Sequence, residues 1–183
     1  MKAISICTTN QDKIAEFQRL TGRRFEPACL ELDEIQSLDT ETVCRGKAAE
    51  AYRRLGRPVV VDDTGFEMEA LGGFPGALVT WVLAAGGPAM LHRLIEADAS
   101  ARAVAVTAIG FADDTGVHVF TGRVEGTVLA VPRGRNGFGF DPVFVPEGDA
   151  RSFAEMGDED KDRHSPRGVA LACLATYLAG TLY

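Results

Sequence analysis

The sequence predicts an α/β fold built on a mixed sheet. In the first third of the chain, short apolar runs alternate with segments of helical periodicity, the order that makes parallel strands. In the middle, two long β-branched runs flank Asp113-Asp114-Thr115-Gly116, which is hairpin patterning and therefore antiparallel. With 183 residues, 46% of them hydrophobic, the chain can bury one sizeable core.

The elements follow in order. Residues 2–7 read as a short buried strand, and "TTNQDKIAEFQRL" puts Ile14, Phe17 and Leu20 on one helical face, with Gly22 as its stop. A weaker strand is expected over 24–30, then the polar loop "LDEIQSLD". Asp39 or Thr40 caps a helix through about Leu55, Gly56 ends it, and Pro58 opens a strand at Val59–Val61 that stops at Asp62. After Gly-Gly-Phe-Pro-Gly come two short helices, at 76–85 and 88–97. The hairpin takes residues 102–112 and 117–131, and "PRGRNGFGFDPVF" is a Gly/Pro-rich loop entering a short strand. Ala170, Cys173, Leu174, Tyr177 and Leu178 then repeat at helical spacing in a terminal helix from about Arg167. No linker, repeat or low-complexity segment divides the chain, so residues 1–183 are read as a single domain.

Charge and cysteines exclude several function classes. Nineteen basic against 26 acidic residues give a net charge of −7, the wrong sign for clamping a nucleic-acid backbone. Cysteines at 7, 29, 44 and 173 show neither zinc nor redox-pair spacing and are expected to pack as small apolar residues in a reducing compartment. The five-residue apolar run near Met1 is too short for a signal peptide, and no run approaches a membrane span, so a cytoplasmic protein is expected.

Four motifs carry candidate chemistry. Asp62-Asp63-Thr64-Gly65 follows a strand too apolar for a solvated edge, and adjacent carboxylates repel unless a cation or hydrogen bonds compensate. One reading is a Mg²⁺ site, because that ion takes one or two carboxylates plus substrate phosphates; the other is a turn, as in the second copy at Asp113. "CTTNQDK" is a strand-to-helix junction where Thr8, Thr9, Asn10 and Lys13 can hold an anion, or where Thr9 or Asn10 simply caps the helix. In "NGFGFDP" one of Phe138 and Phe140 is expected in the core, the other is left undecided between core packing and stacking on a base, and Asp141 stands next to them. "DEDKDRHSPRG" reads as a solvated charge run ending in a Ser165-Pro166 helix start. His92 and His118 lack metal-ligand spacing, and no nucleophile elbow, P-loop or dinucleotide fingerprint is present.

The collinear order of Thr8-Thr9-Asn10-x-x-Lys13, the Glu34 loop, Asp62-Asp63-Thr64-Gly65, "ALGGFPG" with Trp81, "GFGFDPVF", "SFAEM" and Ser165-x-Arg167 resembles the inosine triphosphatase (XTP/dITP diphosphatase) family over nearly the whole chain. The resemblance implies an elongated α/β fold with two lobes around a central nucleotide groove, commonly a homodimer. It implies Mg²⁺-dependent hydrolysis of deaminated purine nucleoside triphosphates (ITP, dITP, XTP) to monophosphate and pyrophosphate. By the same resemblance, Thr8 to Lys13 hold the triphosphate, Lys47 and Lys161 contact phosphate, and Glu34 and Asp63 engage the metal. Asp63 is also the implied base for water. Phe138 stacks on the purine with Asp141 nearby, Thr64, Gly139 and Phe140 complete the substrate contacts, and Ser165 and Arg167 approach the purine edge.

This chain departs from the family pattern at three places. Thr9 replaces a usual glycine, Thr80 stands near a frequent basic residue, and Pro166 occupies the position of the histidine that reads the 6-oxo group. His164 is the candidate substitute for that histidine. Relaxed or altered base selectivity is therefore one alternative, and a nucleotide-binding protein without turnover is another. A haloacid-dehalogenase-like phosphatase needs Asp-x-Asp, whereas Asp62 and Asp63 are adjacent.

Overall fold

A computed structural model describes residues 3–8, 10–97 and 99–181. Its centre is a mixed seven-stranded sheet in the order β2-β1-β3-β5-β6-β7, with the two-residue β4 added to the edge of β3. The strands are β1 Ile4–Ile6, β2 Phe25–Pro27, β3 Val59–Met68, β4 Pro75–Gly76, β5 Arg102–Asp113, β6 Gly116–Val128 and β7 Phe144–Pro146. β1 lies parallel to β2 and β3, whereas β3, β5, β6 and β7 run antiparallel in succession. The predicted α/β class and mixed sheet are therefore observed.

The helices are α1 Gln11–Thr21, α2 Thr40–Leu55, α3 Val79–Gly86, α4 Ala89–Arg93, α5 Asp158–His164 and α6 Pro166–Ala179. Their ends follow local chemistry. Asp39 caps α2 by accepting from the Thr42 amide at 2.9 Å, and Gly56, at φ +63°, closes it through its N–H to the Tyr52 carbonyl. Ser165 caps α6 by accepting from the Gly168 amide, with Pro166 at the first helical position.

Strand alternation sorts the core onto two faces. Val60, Ile109 and Phe111 face α1 and α6, where they pack with Ile6, Ile14, Phe17, Leu171 and Leu174. Val59, Val61, Ala108 and Ala112 face α2 and meet Cys44, Ala48 and Ala51. The small residues let α2 approach closely; a Cβ on Gly110 would lie only 2.8 Å from that of Ala48. A third cluster, with Phe66, Met68, Phe140, Phe144 and Phe153, fills the far end of β3.

Two expectations are corrected and a third is refined. The strand opened by Pro58 does not stop at Asp62 but continues to Met68, because β5 pairs with every residue of it, Asp62 opposite Ile109 and Asp63 opposite Ala108. The charge run at Asp158 has no buried residue, as expected of a solvated face, but it also forms helix α5, with Asp158, Glu159 and Asp160 in the first turn and Lys161, Arg163 and His164 in the last, as the helix dipole favours. Only Cys44 of the four thiols is fully buried; Cys29 and Cys173 are exposed, since one sits beyond the short β2 and the other on the outer face of α6.

Candidate active site

β1 pairs with β3 only as far as Val60, and β4 joins the same edge at Phe66 and Glu67. Between them, among the described residues, the edge of β3 carries no partner strand. The residues of that gap are Val61 to Gly65, so the first Asp-Asp-Thr-Gly occupies an opening in the sheet.

Strand alternation sends the two adjacent carboxylates to opposite faces, so the cation bridging both that repulsion would demand is not needed. Asp62 points to the side of α1 and α6. Its Oδ2 lies 2.9 Å from Lys13 Nζ and 3.1 Å from an Arg167 guanidinium nitrogen. Arg167 is itself buried, donates to Glu16 Oε2 at 3.0 Å, and reaches the Thr64 hydroxyl at 3.3 Å. Burial pushes the Asp62 carboxyl up, but Lys13 and Arg167 outweigh it and hold the group at about 2. Asp62 is a permanent counter-ion.

Asp63 points to the side of α2. Lys47 Nζ lies 3.1 Å from Asp63 Oδ1 and 2.7 Å from Glu34 Oε1, and it also donates to the Asp62 carbonyl at 3.2 Å. Burial raises the Asp63 carboxyl to about 6 despite that lysine. Its second oxygen, Oδ2, is buried without a hydrogen-bond partner. Neighbouring carboxylates whose affinities for protons are pushed apart are the arrangement that acid–base chemistry near neutral pH requires.

On the α1/α6 face lies a cavity of about 410 Å³. Its wall includes Asn10, Lys13, Thr64, Phe138, Gly139, Phe140, Asp141, Lys161, Ser165 and Arg167, ten of the residues singled out from the sequence. Phe138 is 38% exposed there, whereas Phe140 is 7% exposed and packs on Phe66 at 4.7 Å. Of the two rings flanking Gly139, one is therefore core and the other open. Lys161 Nζ sits 5.0 Å from the Phe138 ring centroid and the Arg167 guanidinium carbon 5.4 Å from it. Asp141 is buried and anchors this loop, accepting from the Phe138 amide and from Lys161 Nζ, each at 2.6 Å.

Other sequence candidates fall elsewhere or are already engaged. Glu34, Lys47 and Asp63 form their own cluster, outside the wall of this cavity. Asn10 caps α1, its Oδ1 accepting from the Lys13 amide, and Thr8 Oγ1 accepts from the Asn10 amide. Thr9 lies outside the described residues. The Ser165 hydroxyl serves the α6 cap, and Arg167 is spent on Glu16, Asp62 and Thr64 rather than aimed freely at a ligand. His164 does not stand in for the missing histidine: it is exposed, absent from the cavity wall, and turned back on the Asp160 carbonyl at 2.8 Å. Pro166 does line the cavity. Glu16 and Asp62 were not singled out as site residues; the available signal for Glu16 was an acid between Ile14 and Phe17, on a helix face otherwise apolar.

Among the described residues no group of three His, Cys, Asp or Glu stands close enough to hold a metal by itself. Glu34 and Asp63 nonetheless fit a hard divalent cation, since both are oxygen donors and Asp63 Oδ2 is buried and unsatisfied. A substrate phosphate would complete the set. No helix of the described residues is long and apolar enough to cross a membrane.

Residues 4–177 match the pattern of the Ham1 family. The chain is 43% identical over 180 residues to a dITP/XTP pyrophosphatase of Hyperthermus butylicus, covering 97% of this chain and 95% of that one. It is 40% identical over 178 residues to inosine triphosphate pyrophosphatase 2 of Trypanosoma cruzi, covering 95% and 91%. Among solved structures, a HAM1 protein from Coxiella burnetii superposes with a TM-score of 0.86 at 27% identity, covering 99% of this chain and all of that one.

Proposed function

The chain belongs to the Ham1 family, and from that premise we propose that it hydrolyses deaminated purine nucleoside triphosphates to monophosphate and pyrophosphate. The observation that carries this reading is the division of the site along the open edge of β3. An aromatic cavity with Phe138 at its mouth lies on one face, and a lysine–carboxylate cluster lies on the other. Such a layout suits a ligand with a flat apolar end and a strongly anionic end.

In this reading the base stacks on Phe138, as aromatic rings do with bases. Lys161 and Arg167 border that ring, and Lys13 and Lys47 neutralise the phosphates. Glu34 and Asp63 would hold Mg²⁺, which when bound supplies charge neutralisation of the phosphates. Asp63, on the open edge of β3, takes the proton of the attacking water. The water oxygen bonds to the α-phosphorus, the bond from that phosphorus to the bridging oxygen breaks, and pyrophosphate leaves. Asp62 stays ionised and fixes Lys13 and Arg167 in place.

The reading extends to a single domain with a lobe on either side of the groove, acting as a homodimer on the free nucleotide pool of the cytoplasm. Trp81, 74% exposed on α3, is an apolar side chain available to a second copy. Sedimentation of wild type and Trp81→Glu tests that part.

The activity is tested by pyrophosphate release with Mg²⁺ across ITP, dITP, XTP, GTP, ATP and dUTP at equal concentration. Preference for ITP and XTP is the expected result. Comparable rates on all six would mean that the phosphate chemistry stands and that Pro166 has removed the base filter. No pyrophosphate from any of them would overturn the enzymatic reading.

A further inference from the structure

Lys47 reaches from α2 into a cradle made only of oxygen: Glu34 Oε1 at 2.7 Å, Asp63 Oδ1 at 3.1 Å and the Asp62 carbonyl at 3.2 Å. An ammonium has three N–H donors, and these three acceptors use them all. Two carboxylates and a carbonyl are also the donor types that a hard divalent cation takes. Among the described residues, Lys47 is the one ion-pair partner of both Glu34 and Asp63. The other lysine at Asp62, Lys13, lies on the opposite face of the strand with the carboxylate of that residue, so it does not fill this cradle.

We propose that the Lys47 ammonium is the resident cation of this cradle in the nucleotide-free protein, and that it keeps a divalent ion out until a triphosphate draws the lysine away. The inference deepens the pyrophosphatase reading and rests on it for the identity of the triphosphate. The charge balance supports it. One ammonium leaves two carboxylates a net charge of −1 and leaves Asp63 Oδ2 buried without a partner. A divalent ion would neutralise the pair fully, but it cannot share the same oxygens with the lysine at these distances. An anionic phosphate offers Lys47 a new partner and offers the incoming ion further oxygens in one event. The protein therefore takes its metal together with the nucleotide, and the lysine-filled cradle does not hold an ion that could act on water alone.

The test is Mn²⁺ binding without nucleotide, followed by the loss of the free-ion electron paramagnetic resonance signal. Wild type, Lys47→Met, Lys47→Gln and the double variant Lys47→Met with Glu34→Gln are compared. Removing the lysine is expected to tighten Mn²⁺ binding at least about tenfold, the scale of a 1.4 kcal/mol change, because two carboxylates are left without a counter-ion. Adding Glu34→Gln should cancel that gain, and Mg²⁺ should raise the Tm of Lys47→Met more than that of wild type. Equal or weaker Mn²⁺ binding in both lysine variants overturns the proposal, as does a gain that survives Glu34→Gln. If neither lysine variant folds, wild type alone decides: tight Mn²⁺ binding without nucleotide, lost in Asp63→Asn, refutes it, and weak binding upholds it. Wild-type pyrophosphate release is assayed separately, so a protein that turns over no triphosphate yet shows the Mn²⁺ pattern would lose the enzymatic reading and keep the lysine-filled cradle.

Discussion

Replacing Asp62 by Asn tests whether the first of the two adjacent acids is structural. Its carboxylate is buried, 2.9 Å from Lys13 and 3.1 Å from Arg167, so the change strips a counter-ion from two cations at once. Removing one member of a buried pair costs about 3–5 kcal/mol. The lower end applies here, because Arg167 keeps Glu16 and Lys13 is partly open to water. The protonation equilibrium gives an independent figure. Depression of the carboxyl from 3.8 to about 2 corresponds to about 2 kcal/mol at neutral pH. An acid held below its unfolded value contributes stability that is complete above pH 4 and lost as pH falls through 2. About half of it remains near pH 3, and little remains by pH 2. Urea unfolding of wild type and Asp62→Asn should therefore differ by about 2–3 kcal/mol at pH 7, or about 5–10 °C in Tm, and converge toward pH 2. Equal stabilities at pH 7, or a difference that does not shrink on acidification, would refute the counter-ion assignment.

Asp63→Asn should lower pyrophosphate release by about 10²–10⁴-fold, the usual worth of a general base, and leave the protein folded. The sign of its pH effect is opposite to that of Asp62: a carboxyl raised to about 6 makes the metal-free protein lose stability as pH rises, by about 2 kcal/mol between pH 4 and 6 and about 3 kcal/mol in all, and the variant should flatten that slope. Wild-type activity should fall on the acid side with an apparent midpoint at or below 6, since a bound cation only lowers it; a midpoint well above 6 would remove Asp63 as the base. Phe138→Ala should raise KM about tenfold to a hundredfold with little change in Tm, because stacking on a base is worth about 1–3 kcal/mol. Phe140→Ala should instead cost about 3–5 kcal/mol of stability, and the reverse pattern would exchange the roles of the two rings.

Much of the frame was legible because its signals are local. Asp39, Gly56 and the helical repeat between them delimit α2 without reference to anything distant, since a cap and a left-handed glycine act within one turn. The second Asp-Asp-Thr-Gly is a turn for the same reason: Asp113 accepts from the amide of Thr115, two residues on. The family pattern and the triphosphate chemistry were readable in the order of the motifs, whereas of the two rings at Gly139 the residues themselves assigned only one to the core, and the resemblance pointed to Phe138 as the other.

What the sequence hid was long-range. Two acids weaken the strand tendency of residues 59–68, so local propensity ends the strand at Asp62, while pairing with β5 and lysines from α1 and α2 carries it through. Helix α5 and the turned-away His164 were likewise invisible in a run of charges. By itself the sequence determined that two carboxylates, several lysines and a pair of phenylalanines around a glycine belong to one chain in the order of a pyrophosphatase. Only the tertiary structure decided that Asp62 and Asp63 face opposite sides of the sheet and play different parts. The pleat turns a step of one residue into a change of face, and the elements packed on each face set the charge that each carboxylate meets.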